Sequence, residues 1–176
     1  QNQMWVARYG GFRRSNSHLS SGGLGTMGFA LPAAMGAAVA VPDKRSWAIA
    51  GDGGFQMTLQ ELATIVQERI PVKIALLDNK KLGMIRQWQE IVYAGNYHSE
   101  QLNGPDYLKL CEAYGVPAWK VSKPEEVDAA VAAANAVDGP AMIWFEIAER
   151  RNCGAQHIHW MGRCRQQFKH QTKLWW

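Results

Sequence analysis

Two short apolar runs, each followed directly by a polar turn, constrain the fold of this 176-residue chain most strongly. Residues 46–50 (SWAIA) precede the turn 51–54 (GDGG), and residues 72–77 (VKIALL) precede the turn 78–79 (DN). Between them, residues 58–69 carry leucine, isoleucine and valine at helical spacing. Because a strand, a crossover helix and a second strand form a right-handed parallel unit, the two strands should be neighbours in one sheet. The sequence therefore predicts an α/β fold.

The two turns carry ligands that suit a metal ion. Asp52 supplies a carboxylate and Asn79 an amide oxygen, and both should lie at the carboxyl edge of the sheet, where open α/β folds bind ligands. Hard oxygen ligands suit Mg²⁺, which commonly shares its shell with phosphate groups. The glycines let backbone N–H groups approach a phosphate, and a helix starting near Phe55 should point its positive end there. These residues predict a Mg²⁺-diphosphate site, and a tight turn without a ligand is the alternative.

The spacing and the neighbouring motifs resemble a known family. A GDG turn, the intervening residues 54–77 and an Asn-Asn-like pair resemble the thiamine diphosphate motif. Residues 21–40 (SGGLGTMGFALPAAMGAAVA) and 82–90 (LGMIRQWQE) resemble the large, catalytic subunit of acetohydroxyacid synthase, also called acetolactate synthase. The resemblance covers residues 1–149 and implies an N-terminally truncated thiamine-diphosphate-binding domain, the C-terminal domain of that subunit. The implied fold is a three-layer parallel sheet with helices on both faces.

The resemblance also implies which residues contact thiamine diphosphate. These are Gln1, Asn2, Gly25, Met27, Gly51, Asp52, Gly53, Gly54, Asn79, Lys81, Leu82, Gly83, Met84 and Ile85. Among them, Asp52, Asn79 and the backbone carbonyl of Lys81 are the implied Mg²⁺ ligands. Because the ligand at position 81 is a backbone atom, the type of side chain there is unconstrained. Met84 and Trp88 are the implied residues of the substrate and herbicide channel. No catalytic residue is implied in this fragment, because the activating glutamate of the family comes from another domain.

Several of these residues also have an ordinary structural interpretation. Gln1 and Asn2 stand where the family usually has Gln-His, and either can donate a hydrogen bond to a phosphate oxygen. A frayed terminus is the alternative for both residues. Met27 is equally suited to filling a core, and Met84 with Trp88 has the spacing of a core stripe on one helix face.

One departure from the family concerns the second turn. Asp78 occupies the first position of the usual Asn-Asn pair, whereas the metal ligand is the second member, Asn79, so the metal site should survive. An ionised Asp78 adds negative charge beside Mg²⁺ unless a backbone amide or a cation satisfies it.

The resemblance implies an activity, cofactors and partners. The activity is decarboxylation of pyruvate and condensation with a second 2-keto acid, to 2-acetolactate or 2-aceto-2-hydroxybutyrate, in branched-chain amino-acid biosynthesis. The cofactors are thiamine diphosphate and Mg²⁺, with FAD in full-length members, whose FAD-binding domain is absent here. The partners are further copies, in a homodimer or tetramer through the thiamine-binding domains, and a regulatory small subunit. The fragment is expected to be inactive alone.

Two alternative functions remain. The first is a domain of another thiamine diphosphate enzyme, of the pyruvate oxidase, benzoylformate decarboxylase or glyoxylate carboligase type. The motif LGMIRQWQ argues against these enzymes. The second is a truncated, non-catalytic subunit that acts only in assembly, which the missing domains favour.

The second half of the domain is predicted to complete the sheet without contributing chemistry. Asp106 should cap a helix that carries Cys111 as a buried, inert thiol. Ser122 and Glu125 have the spacing of a capping box. Helices are predicted over residues 106–114 and 125–136, and strands over residues 118–121 and 141–147.

The basic character of the chain lies in residues 150–176, which hold six of its 19 lysines and arginines and no acidic residue. This segment has neither helical nor strand periodicity, and we interpret it as a non-native or disordered tail. Its alternatives are a nucleic-acid arm and a metal site of Cys153, His157, His159 and Cys164, whose spacing fits no standard zinc pattern. Because the rest of the chain is nearly neutral, we expect no nucleic-acid partner.

Cysteine content and hydropathy indicate the compartment. Three cysteines form no even disulfide framework, so a reducing compartment, the cytoplasm, is expected. No apolar run reaches membrane-spanning length, and the first residues lack a secretory pattern, so we expect no membrane partner.

Overall fold

The structure, a computed structural model, describes residues 1–12 and 15–147 and the backbone of residues 174–175. Its strands are β1 (Arg45–Gly51), β2 (Val72–Asp78), β3 (Ala118–Val121), β4 (Ala141–Glu146) and β5 (Leu174–Trp175). Its helices are α1 (Asn2–Tyr9), α2 (Ala30–Ala40), α3 (Asp52–Gln56), α4 (Glu61–Gln67), α5 (Gly83–Val92), α6 (Tyr107–Tyr114) and α7 (Val127–Ala136), with a 3-10 turn at Pro124–Glu126. Apart from β5, the predicted tail of residues 150–176 and its alternative metal site lie outside the described residues.

All the described strands run parallel, in the order β3-β4-β2-β1-β5. Gly51 at the end of β1 pairs with Leu77 near the end of β2. On the other side of β2, Asp78 pairs with Glu146 at the end of β4. The two apolar runs are therefore neighbours, as predicted, and the turns that follow them lie together at the carboxyl edge of the sheet.

Two hydrophobic clusters, one on each face of the sheet, give the predicted three layers. On one face, α2, α4 and α6 cover Ile74 and Leu76 of β2. On the other face, α7 covers Ala75 and Leu77. Every residue of β2 is buried, which is expected of a central strand with helices on both faces. The fold class predicted from the sequence is confirmed.

The segment after the first turn differs from the prediction. The sequence predicts one helix over residues 58–69 and a helix start near Phe55, whereas the structure has two short helices, α3 and α4. The first begins directly at Asp52, because β1 passes into it without a loop. The hydroxyl of Thr58 donates to the carbonyl of Gly28 at 3.2 Å. This tie to the glycine-rich loop lies at the break between the two helices, where hydrogen bonds span three residues rather than four.

The elements of the second half match the prediction except at one cap. Asp106 accepts hydrogen bonds from two backbone amides in the first turn of α6, as predicted. The next capping box lies one residue later than predicted, since Glu126, and not Glu125, accepts hydrogen bonds from the amides of Ser122 and its neighbour. The shift follows from Pro124, which opens a 3-10 turn before α7 begins.

Cys111 is buried on the inner face of α6 and is fully inaccessible. Its Sγ lies 3.4 Å from Sδ of Met142. Burial raises the pKa of the Cys111 thiol to about 12, so the thiolate that reacts or binds metals does not form at neutral pH. The prediction of an inert thiol is confirmed.

The small residues of α2 do not bury every face of that helix. Leu31, Ala34 and Ala38 are buried, whereas Val39 is 67% exposed. Helix α2 is therefore buried against the core on one side and exposed on the other. Among the described residues, no helix combines the length and the apolar character needed to cross a membrane.

A lysine lies within the most deeply buried strand. Lys73 of β2 is 3% exposed, and its Nζ donates to the carbonyls of Val137, at 2.8 Å, and Gly139. Both carbonyls belong to the turn between α7 and β4, so this side chain ties the centre of the sheet to that turn. Burial and the nearby Arg45 lower the pKa of Lys73, while Asp138 acts in the opposite direction.

Replacing Lys73 by methionine should lower the free energy of unfolding by about 1–3 kcal/mol, the usual cost of buried polar groups that lose their partner. The carbonyls of Val137 and Gly139 would lose the hydrogen bonds that Lys73 donates. Urea denaturation at neutral pH measures the effect. Lys109→Met, at an exposed position of α6, is the matched control and should leave the midpoint nearly unchanged. A Lys73→Met variant as stable as the wild type would contradict this role.

Candidate functional site

A cavity of about 480 Å³ opens at the carboxyl edge of the sheet. The start of α1, the glycine-rich loop before α2 and the turns after β1 and β2 line it. Every residue predicted to contact the cofactor is among the lining residues, namely Gln1, Asn2, Gly25, Met27, Gly51, Asp52, Gly53, Gly54, Asn79, Lys81, Leu82, Gly83, Met84 and Ile85. Trp88 is not among them: it is 58% exposed on α5, a helix that fully buries none of its residues. The core-stripe alternative for Met84 and Trp88 is therefore wrong.

Two carboxyl groups meet where the turns come together. Asp52 and Asp78 are each 4% exposed, and their carboxyl groups interact directly. Burial, followed by the charge of Asp78, raises the pKa of Asp52 to about 7, although backbone hydrogen bonds from Gly53 and Lys80 act in the opposite direction. Below this pH Asp52 holds a proton, and a divalent cation bound to Asp52 would displace that proton.

Asp78, the departure from the family pattern, has a neutral donor for each oxygen. Its Oδ1 accepts from the backbone amide of Lys80 at 3.0 Å, and its Oδ2 accepts from the indole Nε1 of Trp144 at 2.9 Å. The edge of Tyr107 packs against the Trp144 ring, with centroids 5.3 Å apart, and supports the indole. A backbone amide and an indole, rather than a cation, therefore donate hydrogen bonds to the Asp78 carboxylate.

The turn after β2 is shaped by its own polar side chain. Oδ1 of Asn79 accepts from the amide of Lys81 at 3.3 Å, and the residue between them, Lys80, has a left-handed φ of 56°. The side chain of Lys81 is 8% exposed, with Nζ 3.5 Å from Oε1 of Glu100. The loop after α5 folds back over this turn and supplies that carboxylate, so in this chain the lysine takes part in a buried ion pair.

The wall of the cavity at Gly53 leaves no room for a side chain. A Cβ there would lie 2.9 Å from Cδ1 of Leu102 and 3.3 Å from both Cδ2 of Leu82 and Cε of Met27. Met27 itself is 47% exposed, so in this chain it faces the cavity rather than filling a core. Gly25 takes a φ of 62°, a conformation that favours glycine, in the loop that carries Met27.

The first two residues are attached to the site. Nε2 of Gln1 donates to Oε1 of Gln87 at 3.1 Å, and Nδ2 of Asn2 donates to the carbonyl of Ile49 at 3.4 Å. A Cβ at Gly83 would collide with the side chain of Gln1. The frayed terminus that was the alternative for these residues is not what the structure has, since α1 starts at Asn2.

Sequence reasoning missed Glu100, Arg86, Leu102 and Trp144. All but Arg86 contact the turns of the site, and Arg86 pairs with Glu100. The first three belong to α5 and to the loop after it, which has no periodicity to place them. For Trp144 a signal was available: Asp78 ends an apolar strand, so its carboxylate needs buried donors from a neighbouring strand.

The donor set fits a divalent cation that carries a diphosphate. A buried carboxylate, an amide oxygen and backbone carbonyls are hard oxygen ligands, and the glycines of the first turn keep the backbone accessible to phosphate oxygens. Among the described residues, no three side chains of His, Cys, Asp or Glu gather into a metal cluster. Mg²⁺ fits such a site because it needs only one or two carboxylates when phosphates and water complete its shell.

Comparison with known proteins agrees with this geometry. Residues 1–145 match the family described as "Thiamine pyrophosphate enzyme, C-terminal TPP binding domain". The acetolactate synthase large subunit of Corynebacterium glutamicum is 48% identical over 155 residues, which cover 85% of this chain and 25% of that protein. The acetolactate synthase isozyme 2 large subunit of Escherichia coli is 42% identical over 153 residues, 86% of this chain and 28% of that protein.

Two further proteins extend the comparison. The mitochondrial acetolactate synthase catalytic subunit of Saccharomyces cerevisiae is 44% identical over 85% of this chain and 22% of its own length. The solved structure of the thiamine diphosphate-dependent 4-hydroxybenzoylformate decarboxylase of Rhodococcus jostii superposes with a TM-score of 0.64 and 34% identity, over 70% of this chain and 24% of that one. The chain thus spans about a quarter of the length of these relatives.

The raised pKa of Asp52 predicts a pH-dependent stability in buffer free of divalent cations. The unfolded carboxyl loses its proton near pH 3.8 and the folded one near about 7, so between these values the folded chain holds the extra proton. The contribution of Asp52 therefore makes the free energy of unfolding fall as the pH rises through this window, and the fall ends above pH 7.

Urea denaturation of Asp52→Asn against the wild type, in EDTA from pH 4 to 8, measures this contribution. The stability of the variant relative to the wild type should grow with pH up to about 7 and then level off. Asp43→Asn, at an exposed position before β1, is the control and should follow the wild type. If the difference in the free energy of unfolding between Asp52→Asn and the wild type does not change with pH, the raised pKa of Asp52 is contradicted.

Proposed function

We propose, since this chain belongs to the family of C-terminal TPP-binding domains of thiamine pyrophosphate enzymes, that it holds Mg²⁺ and thiamine diphosphate within an acetolactate synthase large subunit. One observation carries the proposal: a single cavity is lined by both strand-end turns and by every residue that the family resemblance implies in cofactor binding. The names and the 42–48% identity of the bacterial relatives support the choice of acetolactate synthase within the family.

Each part of the cavity has a proposed task. Asp52, Asn79 and the backbone carbonyl of Lys81 hold Mg²⁺, and the turn 51–54 lets backbone amides approach the diphosphate. Met27, on the glycine-rich loop, supports the cofactor beside this turn. The apolar side chains after residue 81 exclude water from the reacting end. When bound, thiamine diphosphate supplies the carbon nucleophile and electron sink with which a 2-keto acid is decarboxylated.

The substrate class proposed for the whole protein is a pair of 2-keto acids. Pyruvate is decarboxylated and its two-carbon unit is joined to a second 2-keto acid, which places the parent enzyme in branched-chain amino-acid biosynthesis. Among the described residues that line the cavity there is no glutamate. We infer that the activating glutamate comes from another domain, supplied by a second copy in a homodimer or tetramer. This chain alone then binds the cofactor but does not turn over.

The decarboxylase from Rhodococcus jostii supports a second candidate. In this alternative the parent enzyme decarboxylates an aromatic 2-keto acid without joining the product to a second keto acid. Product analysis with pyruvate and with benzoylformate distinguishes the two, because only the first candidate forms 2-acetolactate. FAD, a regulatory small subunit and a cytoplasmic location stay predictions from the resemblance and the cysteine content; the yeast relative is mitochondrial by its name.

Isothermal titration of the 176-residue chain with thiamine diphosphate and Mg²⁺ tests the binding site. We expect binding that needs the metal, and a loss of at least about tenfold in affinity for Asp52→Asn and Asn79→Ala, because each removes an oxygen ligand. Asp43→Asn serves again as the control and should bind like the wild type. Binding that is equally strong with EDTA, or unchanged in both variants, would overturn the proposed site.

An acetolactate assay on the same preparation tests whether this chain needs a second domain for catalysis. The chain should show no turnover alone, even when titration shows it saturated with cofactor, because the proton acceptor for activation lies elsewhere. Turnover by the purified chain would contradict the inference that a second domain contributes the glutamate.

A further inference from the structure

Glu100 lies between two cations behind the turn that follows β2. It is 4% exposed, and its Oε1 accepts from Nη1 of Arg86 at 2.9 Å and lies 3.5 Å from Nζ of Lys81. The two cations are themselves 18% and 8% exposed. Within the described part of the chain, the second oxygen, Oε2, is buried and has no hydrogen-bond partner. Packing alone does not favour a buried carboxylate with an unpaired oxygen, so its interaction with the two cations holds it there.

Backbone hydrogen bonds on either side of Gln101 also hold the turn that follows β2. The carbonyl of Glu100 accepts from the amide of Leu82 at 2.7 Å, and the amide of Leu102 donates to the carbonyl of Lys80 at 2.9 Å. These two bonds form a short antiparallel bridge between the loop after α5 and the turn after β2. The turn that carries two of the proposed metal ligands is therefore held by the loop after α5 as well as by its own strand.

This loop also reaches the first turn and the start of α5. The side chain of Leu102 borders Gly53, where it would lie 2.9 Å from an added Cβ. The guanidinium of Arg86 stacks over the ring of Tyr97, 4.1 Å from its centroid. Through these contacts, one short segment touches both turns of the cavity and the helix that follows them.

We propose that Glu100 is a positioning residue of the cofactor site. Its carboxylate neutralises Lys81 and Arg86, and by doing so it fixes the turn in which Asn79 and Lys81 face the metal. Glu100 acts through Lys81 and does not itself line the cavity. The inference rests on the proposed function and deepens it, because it names what keeps the second half of the metal site in shape.

Amide hydrogen exchange, followed by mass spectrometry or NMR on the 176-residue chain, tests the positioning directly. Glu100→Gln keeps the shape of the side chain but removes the carboxylate charge that lies between Lys81 and Arg86. Exchange in residues 80–86 should become faster by about tenfold, because local opening of the turn becomes easier, while β1 and β2 keep their protection. Glu112→Gln, at an exposed position of α6, is the control and should leave residues 80–86 unchanged. Unchanged exchange there in Glu100→Gln would overturn the proposal.

The charge of Glu100 distinguishes positioning from simple packing. The double variant Arg86→Gln with Glu100→Gln also removes the guanidinium that pairs with Oε1 of Glu100. Exchange in residues 80–86 should therefore return toward the wild type. A purely structural role predicts that the second substitution adds further damage. A double variant that exchanges faster than Glu100→Gln would therefore contradict the role of the charge.

Titration with Mg²⁺ and thiamine diphosphate tests whether the contacts of Glu100 affect cofactor binding. Where the wild type binds, Glu100→Gln should weaken binding by about tenfold and raise the Mg²⁺ concentration needed, because the ligands on the turn are less well ordered. Equal affinity in the variant and the wild type would overturn the proposal. If the wild type binds no cofactor, the proposed function fails, and the positioning of the turn is then judged by hydrogen exchange alone.

Discussion

The parallel pairing of β1 with β2 places two strand-end turns beside each other, and all the proposed metal ligands lie in these turns. The pairing of Gly51 with Leu77 leaves Asp52 next to Asp78 at the edge of the sheet. A slip of the register by one residue would turn every apolar side chain of β1 to the opposite face. The two cores on the faces of the sheet therefore fix the relative positions of the ligands.

The two acidic side chains of the site, Asp78 and Asp52, have different environments. Asp78 receives an amide and an indole hydrogen bond, so its charge is stabilised by neutral groups of β2 and β4. Asp52 accepts backbone hydrogen bonds as well, but its pKa stays raised by burial and by its neighbour. A divalent cation bound at Asp52 would offset this repulsion, which is why the pair suits the proposed metal site. The buried cations beside Glu100 form a separate, opposite cluster behind the second turn.

The sequence suffices for the fold class and for the location of the site, because both depend on local order: apolar strand, polar turn, helix. The break between α3 and α4 was not predictable, since it coincides with a hydrogen bond from Thr58 to Gly28, thirty residues earlier in the chain. The partners of Asp78 and Lys81 were missed for the same reason. For Asp78 the sequence indicates only that a buried donor is needed, and not that Trp144 of another strand supplies it. Glu100 comes from an aperiodic loop, and its pairing leaves no pattern along the sequence.

The position of the metal tests the central claim most directly. Crystals of the chain grown with thiamine diphosphate and Mn²⁺, as a stand-in for Mg²⁺, would locate the ion by its anomalous scattering. The account predicts one peak within about 2.0–2.3 Å of a carboxylate oxygen of Asp52 and of the amide oxygen of Asn79, as expected for small divalent cations with oxygen ligands. A peak bound by only one of these residues, or one located away from both turns, would contradict it.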